Sequence, residues 1–210
     1  MAEISNASTL KQTDSRTLTY YDQNATIYAA RKPHHEDIDA LEYFMSEMPK
    51  GGDICDLGCG NGWASAKLIE NGFQVKAIDG SAGLAAEAKR IYGLTVAVAK
   101  FEEFSYRSAF DGLWACWSLH HAPRTVFPEL LKRVSESVRP GGLLFISVKG
   151  GTGEDRDSFD RFYAYHEWHE LSELIGTAVD GQIIRHASWS EKCFEGKETP
   201  LHQIFIRMAR

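Results

Sequence analysis

From Tyr20 to Met48 the apolar residues fall at helical intervals: Tyr20, Tyr21, Ala25 and Tyr28, then Ile38, Leu41, Phe44, Met45 and Met48, stopping at Pro49. Residues three and four apart share one helix face, so this spacing predicts two helices ahead of the first strand. Beyond Asp53 the period changes. Short apolar runs predict strands over 53–57, 73–78, 94–98, 110–117 and 142–148, separated by helical patterns over 62–70, 82–91 and 123–138. Such alternation builds a parallel sheet with helices on both faces, an α/β architecture. Gly72, Gly93 and Gly141-Gly142 follow helical segments where a terminating residue is wanted. Residues 150–165 are glycine-rich, then charged and aromatic, and read as too irregular for a strand. A helix over 166–175 and strands over 182–189 and 201–208 complete the pattern, the last pair forming an antiparallel edge.

Residues 1–18, rich in Ser, Thr, Asn and Gln without an apolar period, read as a flexible tail. Residues 19–210 then form a single domain. Charge narrows the partners. With 23 basic against 29 acidic residues the net charge is −6 and no basic cluster stands out, so nucleic acid is not an expected partner. No apolar run reaches the roughly 20 residues that span a bilayer and no basic-then-apolar leader opens the chain, so a cytoplasmic protein is expected. Cys55, Cys59, Cys116 and Cys193 lack paired zinc spacing and are expected to be reduced.

Chemistry concentrates at Asp53-Ile54-Cys55-Asp56-Leu57-Gly58-Cys59-Gly60-Asn61-Gly62-Trp63, an apolar run closed by an acid and a glycine-rich turn. A second apolar run ends in Asp79. The pair has the form of a nucleoside-binding βαβ unit, although a purely structural strand-to-helix turn would use some of the same glycines. In an open parallel sheet a ligand binds beyond the strands' carboxyl ends, and a carboxylate at Asp79 can accept from both hydroxyls of a ribose. Trp63 stands where a dinucleotide site has its third glycine, and the Asp56 carboxylate would repel a pyrophosphate but attract an ammonium. Both features favour S-adenosylmethionine over a nicotinamide dinucleotide.

Asp56-Leu57-Gly58-Cys59-Gly60-Asn61-Gly62 resembles the first motif of class I S-adenosylmethionine-dependent methyltransferases, and Val75 to Ser81 resembles the segment that follows it. Phe110 to His121 is similar to the fourth-strand motif, and Leu131 to Leu144 to the helix and turn before the fifth strand. The resemblance implies a Rossmann-like, mostly parallel seven-stranded sheet with an antiparallel C-terminal strand. It places the methionine part against the loop from Asp56 through Gly58, Cys59, Gly60, Asn61 and Gly62 to Trp63, the ribose at Asp79, and the far edge of the nucleoside at Gly80 and Ser81. Phe101 and Glu102 would flank adenine, with Trp117 and Ser118 beside the ligand. Residues 19–50 would be a helical lid, in which Tyr21 and Tyr28 face the sulfonium and Arg31 pairs with the methionine carboxylate, or in which the tyrosines simply pack an amphipathic helix. Residues 150–180 would be a substrate-covering insertion.

Methyl transfer is an in-line displacement, which needs alignment, exclusion of water and sometimes a base. His120 and His121 follow the fourth strand, where an imidazole could serve as that base, or where the pair merely packs a turn. Of Trp114 and Trp117, one is expected in the core and Trp117 at the pocket. His166 and His169 lack a zinc-protease spacing, so no metal site is expected, and a solvated helix is the expectation there. The expected activity is methylation of a small molecule by a monomer or homodimer. A non-catalytic S-adenosylmethionine- or S-adenosylhomocysteine-binding module and an NAD-dependent oxidoreductase are the alternatives.

Overall fold

A computed structural model describes residues 13–192 and 198–210. Three helices come first: α1 (Ser15–Gln23), α2 (Ala25–Ala29) and α3 (His35–Ser46). The alternating body follows as β1 (Asp53–Leu57), α4 (Trp63–Glu70), β2 (Gln74–Asp79), α5 (Ala82–Tyr92), β3 (Ala97–Val98), β4 (Phe110–Ala115), α6 (Phe127–Glu136) and β5 (Val138–Lys149). The chain finishes with β6 (Glu154–Arg156), β7 (Phe162–Ala164), α7 (Trp168–Ala178), β8 (Gly181–Lys192) and β9 (Glu198–Met208).

One sheet of seven strands runs in the order β3-β2-β1-β4-β5-β9-β8. The pairings from β3 to β5 are parallel, while β9 is antiparallel to both β5 and β8. The chain winds outward from β1 to β3 and then returns to place β4 on the other side of β1. That reversal opens a crevice at the carboxyl ends of β1 and β4, where the glycine loop and the His120-His121 turn emerge. Alternation along β4 feeds two apolar layers. Leu113 packs with Leu130, Leu131 and Val134 of α6 and with Leu171 and Ile175 of α7. Trp114 packs on the other face with Phe44 of α3 and Leu68 of α4, its ring stacked 3.8 Å from that of Phe145. Trp114 is therefore the core tryptophan.

The structure corrects several boundaries. Among the described residues three helices precede β1, not two, because Asn24 ends α1 and the chain around Pro33 separates α2 from α3. Residues 1–12 lie outside the described residues, but residues 15–18 are helix and not tail, since the Asp14 side chain caps α1 by accepting from the Thr17 amide. β3 is reduced to Ala97–Val98. The irregular stretch 150–165 contains an antiparallel hairpin, β6 with β7. Its reversal is built by Asp157, whose side chain accepts from the Phe159 and Arg161 amides, a turn signal hidden among the charges. His166 is buried against Phe127 just before α7 and is not on a solvated helix. Cys55, Cys59 and Cys116 carry free thiols, and Cys193 lies outside the described residues. No described helix is long and apolar enough to cross a membrane.

Gly62 sits at φ +81° ahead of α4, and a Cβ there would lie 2.5 Å from Leu94 and 3.1 Å from Ala88. Gly62→Ala is expected to destabilise the fold by about 1–3 kcal/mol through backbone strain and this clash, to be read from urea denaturation.

Candidate functional site

The crevice at the carboxyl ends of β1 and β4 holds two cavities that share Tyr21, Tyr28, Gly58, Gly60, Cys116 and Trp117 in their walls. The inner one is completed by Thr17, Leu18, Asp79, Gly80, Phe101 and His121, among others. The outer one extends past Arg31, Asp56, Cys59, Asn61, Trp63 and His120 to the β6–β7 hairpin and the start of β9. Most of the residues picked out in the sequence therefore converge.

Backbone hydrogen bonds shape the loop. Asp79 accepts from the Gly60 amide at 2.7 Å through one oxygen and from the Ser81 amide at 2.8 Å through the other. Asn61 donates to the Ala29 carbonyl at 2.9 Å, tying the loop to the end of α2. Gly58, at φ +76°, has Ser118 so close that a Cβ would lie 2.3 Å from that side chain, and the Ser118 hydroxyl donates to the Leu57 carbonyl. Its glycine is thus required by strand packing as well as by any ligand. Trp117 adopts φ +53°, an unusual conformation held by its amide donating to Ser147 and its indole donating to Asp37 at 2.9 Å.

Three expected contacts are absent from the walls of either cavity. Gly62 is the N-cap of α4. Ser81 caps α5 by accepting from the Leu84 amide, and its hydroxyl donates to Asp22 on α1. Glu102 accepts from Thr13 at 2.7 Å. In their place stand Thr13, Asp14, Thr17 and Leu18, which the sequence reading put in the tail. The Asp14-x-x-Thr17 spacing is a helix-start signal that could have found them.

Residues 54–142 match the model of a family described as a methyltransferase domain. A ubiquinone biosynthesis O-methyltransferase from Xanthomonas axonopodis pv. citri (strain 306) is 30% identical over 121 residues, 53% of this chain and 49% of that protein. The chain thus aligns with about half the length of that curated relative. The structure of Burkholderia thailandensis 1,6-didemethyltoxoflavin-N1-methyltransferase, with 1,6-didemethyltoxoflavin and S-adenosylhomocysteine bound, superposes with a TM-score of 0.72 at 20% identity, covering 100% of this chain and 93% of that one. Haemonchus contortus phosphoethanolamine N-methyltransferase 2 in complex with S-adenosyl-L-methionine gives 0.72 at 13% identity, over 94% of this chain and 61% of that one. Residues 54–142 of this chain are thus similar to a methyltransferase domain, and the whole chain shares its fold with these structures.

Those two structures bind S-adenosylhomocysteine and S-adenosyl-L-methionine, and the buried acids of this chain have the chemistry to suit such a ligand. Asp56 and Asp79 are both buried. Desolvation pushes the Asp56 carboxyl up to about 7, with the nearby Asp79 charge adding and the Ser65 hydroxyl bond opposing. Desolvation likewise raises Asp79 to about 6 against its two amide bonds. Buried carboxylates of this kind are stabilised by hydrogen-bond donors and positive charge, which a ribose diol and an α-ammonium supply.

The two histidines after β4 differ. His121 Nδ1 lies 2.6 Å from the Phe162 carbonyl, which can only accept, so Nδ1 carries the proton. Nε2 is then the acceptor for the Tyr21 hydroxyl at 3.0 Å. Burial, opposed by the Phe162 bond and aided by Arg161 and Lys149, pulls the imidazole down to about 4. With both nitrogens engaged, His121 joins α1 to β7 across the top of the site. His120 makes no hydrogen bond to the described residues, and its Nδ1 is wholly buried.

α1 is fastened elsewhere too. Asp14 pairs with Arg156 at 2.7 Å, Arg16 pairs with Asp160, and the Phe162 amide donates to Thr17 at 2.8 Å. Tyr21→Phe would leave a buried imidazole nitrogen without its donor. It is expected to lower stability by about 1–3 kcal/mol in urea denaturation and to speed amide hydrogen exchange in α1.

Proposed function

We propose that this protein transfers the methyl group of S-adenosylmethionine to a small-molecule acceptor. The observation that carries the reading is the shared wall of the two cavities: an inner site with an acid at the end of β2 adjoins, through Tyr21, Tyr28, Gly58, Gly60, Cys116 and Trp117, a larger outer site. When bound, S-adenosylmethionine supplies an electrophilic methyl on a sulfonium.

Asp79 holds the ribose hydroxyls while keeping the loop in shape. Asp56 draws the α-ammonium toward the loop, and Arg31, whose guanidinium lies 5.1 Å from the Tyr28 ring centroid, takes the carboxylate. Tyr21 and Tyr28 present aromatic surface to the sulfonium side. α1, latched through Tyr21 and His121, excludes water from the reacting centre. His121 serves as a positioning group here and not as the base, because neither ring nitrogen is free. Residues 19–50 act as the lid together with residues 14–18, and the β6–β7 hairpin closes the acceptor side.

Calorimetric titration with S-adenosylmethionine, S-adenosylhomocysteine and NAD tests this reading. Binding of the first two and not of NAD is expected; binding of NAD alone would sink it, and binding without turnover of any acceptor would favour a sensing module.

Asp79→Ala is expected to weaken S-adenosylmethionine binding by roughly hundredfold or more, since two hydrogen bonds to a charged group contribute about 1.5–3 kcal/mol each. A pH effect follows from the raised carboxyls. The ligand favours the ionised forms, so affinity should rise between about pH 5.5 and about pH 7.5, with protons released on binding. Titrations in buffers of different ionisation enthalpy would detect that release.

A further inference from the structure

Resting on the methyltransferase reading, we propose that Asp37 is the catalytic base, and that the acceptor is a neutral molecule methylated at an O–H or N–H group whose proton Asp37 takes. Asp37 lies in the first turn of α3 and lines the outer cavity, yet it is only 4% exposed. Two distant parts of the chain converge on one of its oxygens: Oδ1 accepts from the Trp117 indole at 2.9 Å and from Gln203 of β9 at 2.9 Å. Neither bond uses Oδ2, and Oδ2 is not among the sealed, unpaired polar atoms of the described residues. The Cys116 thiol beside the carboxylate is a weak donor. One oxygen is therefore fixed by the protein, and the other keeps lone pairs for a ligand.

Its position suits proton removal. Cys116 and Trp117, the neighbours of Asp37 at the end of β4, form part of the wall of both cavities. Asp37 thus stands at the passage between them, which a transferred methyl group must cross. Trp117 reaches it from φ +53°, a costly conformation for a bulky residue. The other candidate bases of the outer cavity are engaged or unsuited. His121 has both nitrogens bonded, and His120 is pushed well below its usual value, chiefly by burial. Asp56 accepts from Ser65, Asp157 pairs with Arg161, Glu154 accepts from the Arg124 amide and Glu191 pairs with His34. A buried carboxylate without an ion-pair partner is short of donors, and the O–H or N–H of an acceptor supplies one. Burial also raises the Asp37 carboxyl above the usual range, against the Trp117 and Gln203 bonds and the nearby His34, which makes it a stronger base than a solvated aspartate.

The step balances within the site. As the acceptor lone pair forms its bond to the methyl carbon, the carbon–sulfur bond breaks and its electron pair passes to sulfur, while the acceptor proton passes to Oδ2. The methylated acceptor and S-adenosylhomocysteine leave, and Asp37 returns its proton to water.

The test applies fluorine NMR to the full-length protein saturated with S-adenosylhomocysteine, with 4-fluorophenol against 4-fluoroanisole and 6-fluoroindole against 6-fluoro-1-methylindole as matched probes. In each pair the proton-bearing probe is expected to bind at least tenfold tighter. Asp37→Asn keeps an oxygen for Trp117 and Gln203 but sets an amide donor where Oδ2 stood, so it should abolish that preference with S-adenosylhomocysteine affinity unchanged. With S-adenosylmethionine instead, 4-fluoroanisole should form from 4-fluorophenol at least tenfold more slowly in the variant. Should the variant not fold, the preference in the wild-type protein must fade on acidification, as Asp37 takes a proton and can no longer accept one. Equal binding within the pairs, no binding of any probe, a preference that survives Asp37→Asn or acidification, or equal product formation by both proteins would overturn the inference. Failure to bind S-adenosylhomocysteine at all would instead overturn the methyltransferase reading beneath it.

Discussion

The Asp79 carboxylate is the point on which the site depends. Each oxygen takes one backbone amide, Gly60 from the loop after β1 and Ser81 from the start of α5. A single side chain at the end of β2 thereby sets the curvature of the glycine loop and the position of a helix N-terminus, while its remaining lone pairs stay available on the cavity side. The same carboxylate is 7% exposed and raised by desolvation, so the residue that organises the loop is also the one a hydroxyl-bearing ligand would satisfy.

The N-terminal helices extend this arrangement outward. Asp22 on α1 accepts from the Ser81 hydroxyl at 2.6 Å and from the Gly83 amide at 2.9 Å, docking α1 onto the start of α5. Tyr21, Asp14 and Thr17 then attach the opposite side of α1 to His121, Arg156 and the Phe162 amide. α1 is therefore a bridge between the start of α5 and the hairpin. Exposed pairs such as Arg16 with Asp160 add little to its strength. The buried Tyr21–His121 contact matters more, because breaking it strands a polar atom away from water.

Strand order follows from elementary pairing rules once the helices are placed. Crossovers through α4 and α5 carry the chain from β1 to β3, and the return to β4 creates the crevice. β9 inserts antiparallel between β5 and β8, which places Gln203 within 2.9 Å of Asp37, the acid that holds the Trp117 indole. A C-terminal strand thus helps fix a side chain in the wall of both cavities.

Much of this was legible in the chain. The period change at Asp53, the acid-ended runs at Asp56 and Asp79 and the glycines between them determined an α/β sheet with an acid-lined crevice at its strand ends, because alternation, strand ends and left-handed turns are local properties that residue types dictate. Trp114 in the core and Trp117 at the pocket were likewise readable from the strand period. The tertiary structure decided what depends on partners distant in sequence. Ser81 and Glu102 turned away from the cavities because Asp22 and Thr13 arrived from the N-terminal segment to meet them. The adjacent His120 and His121 could not be told apart by sequence, since their difference lies in Tyr21 and Phe162, which reach one histidine and not the other. The hairpin at 154–164 stayed hidden because its turn is made by Asp157 side-chain bonds within a run of charges that, read locally, looks like solvated loop.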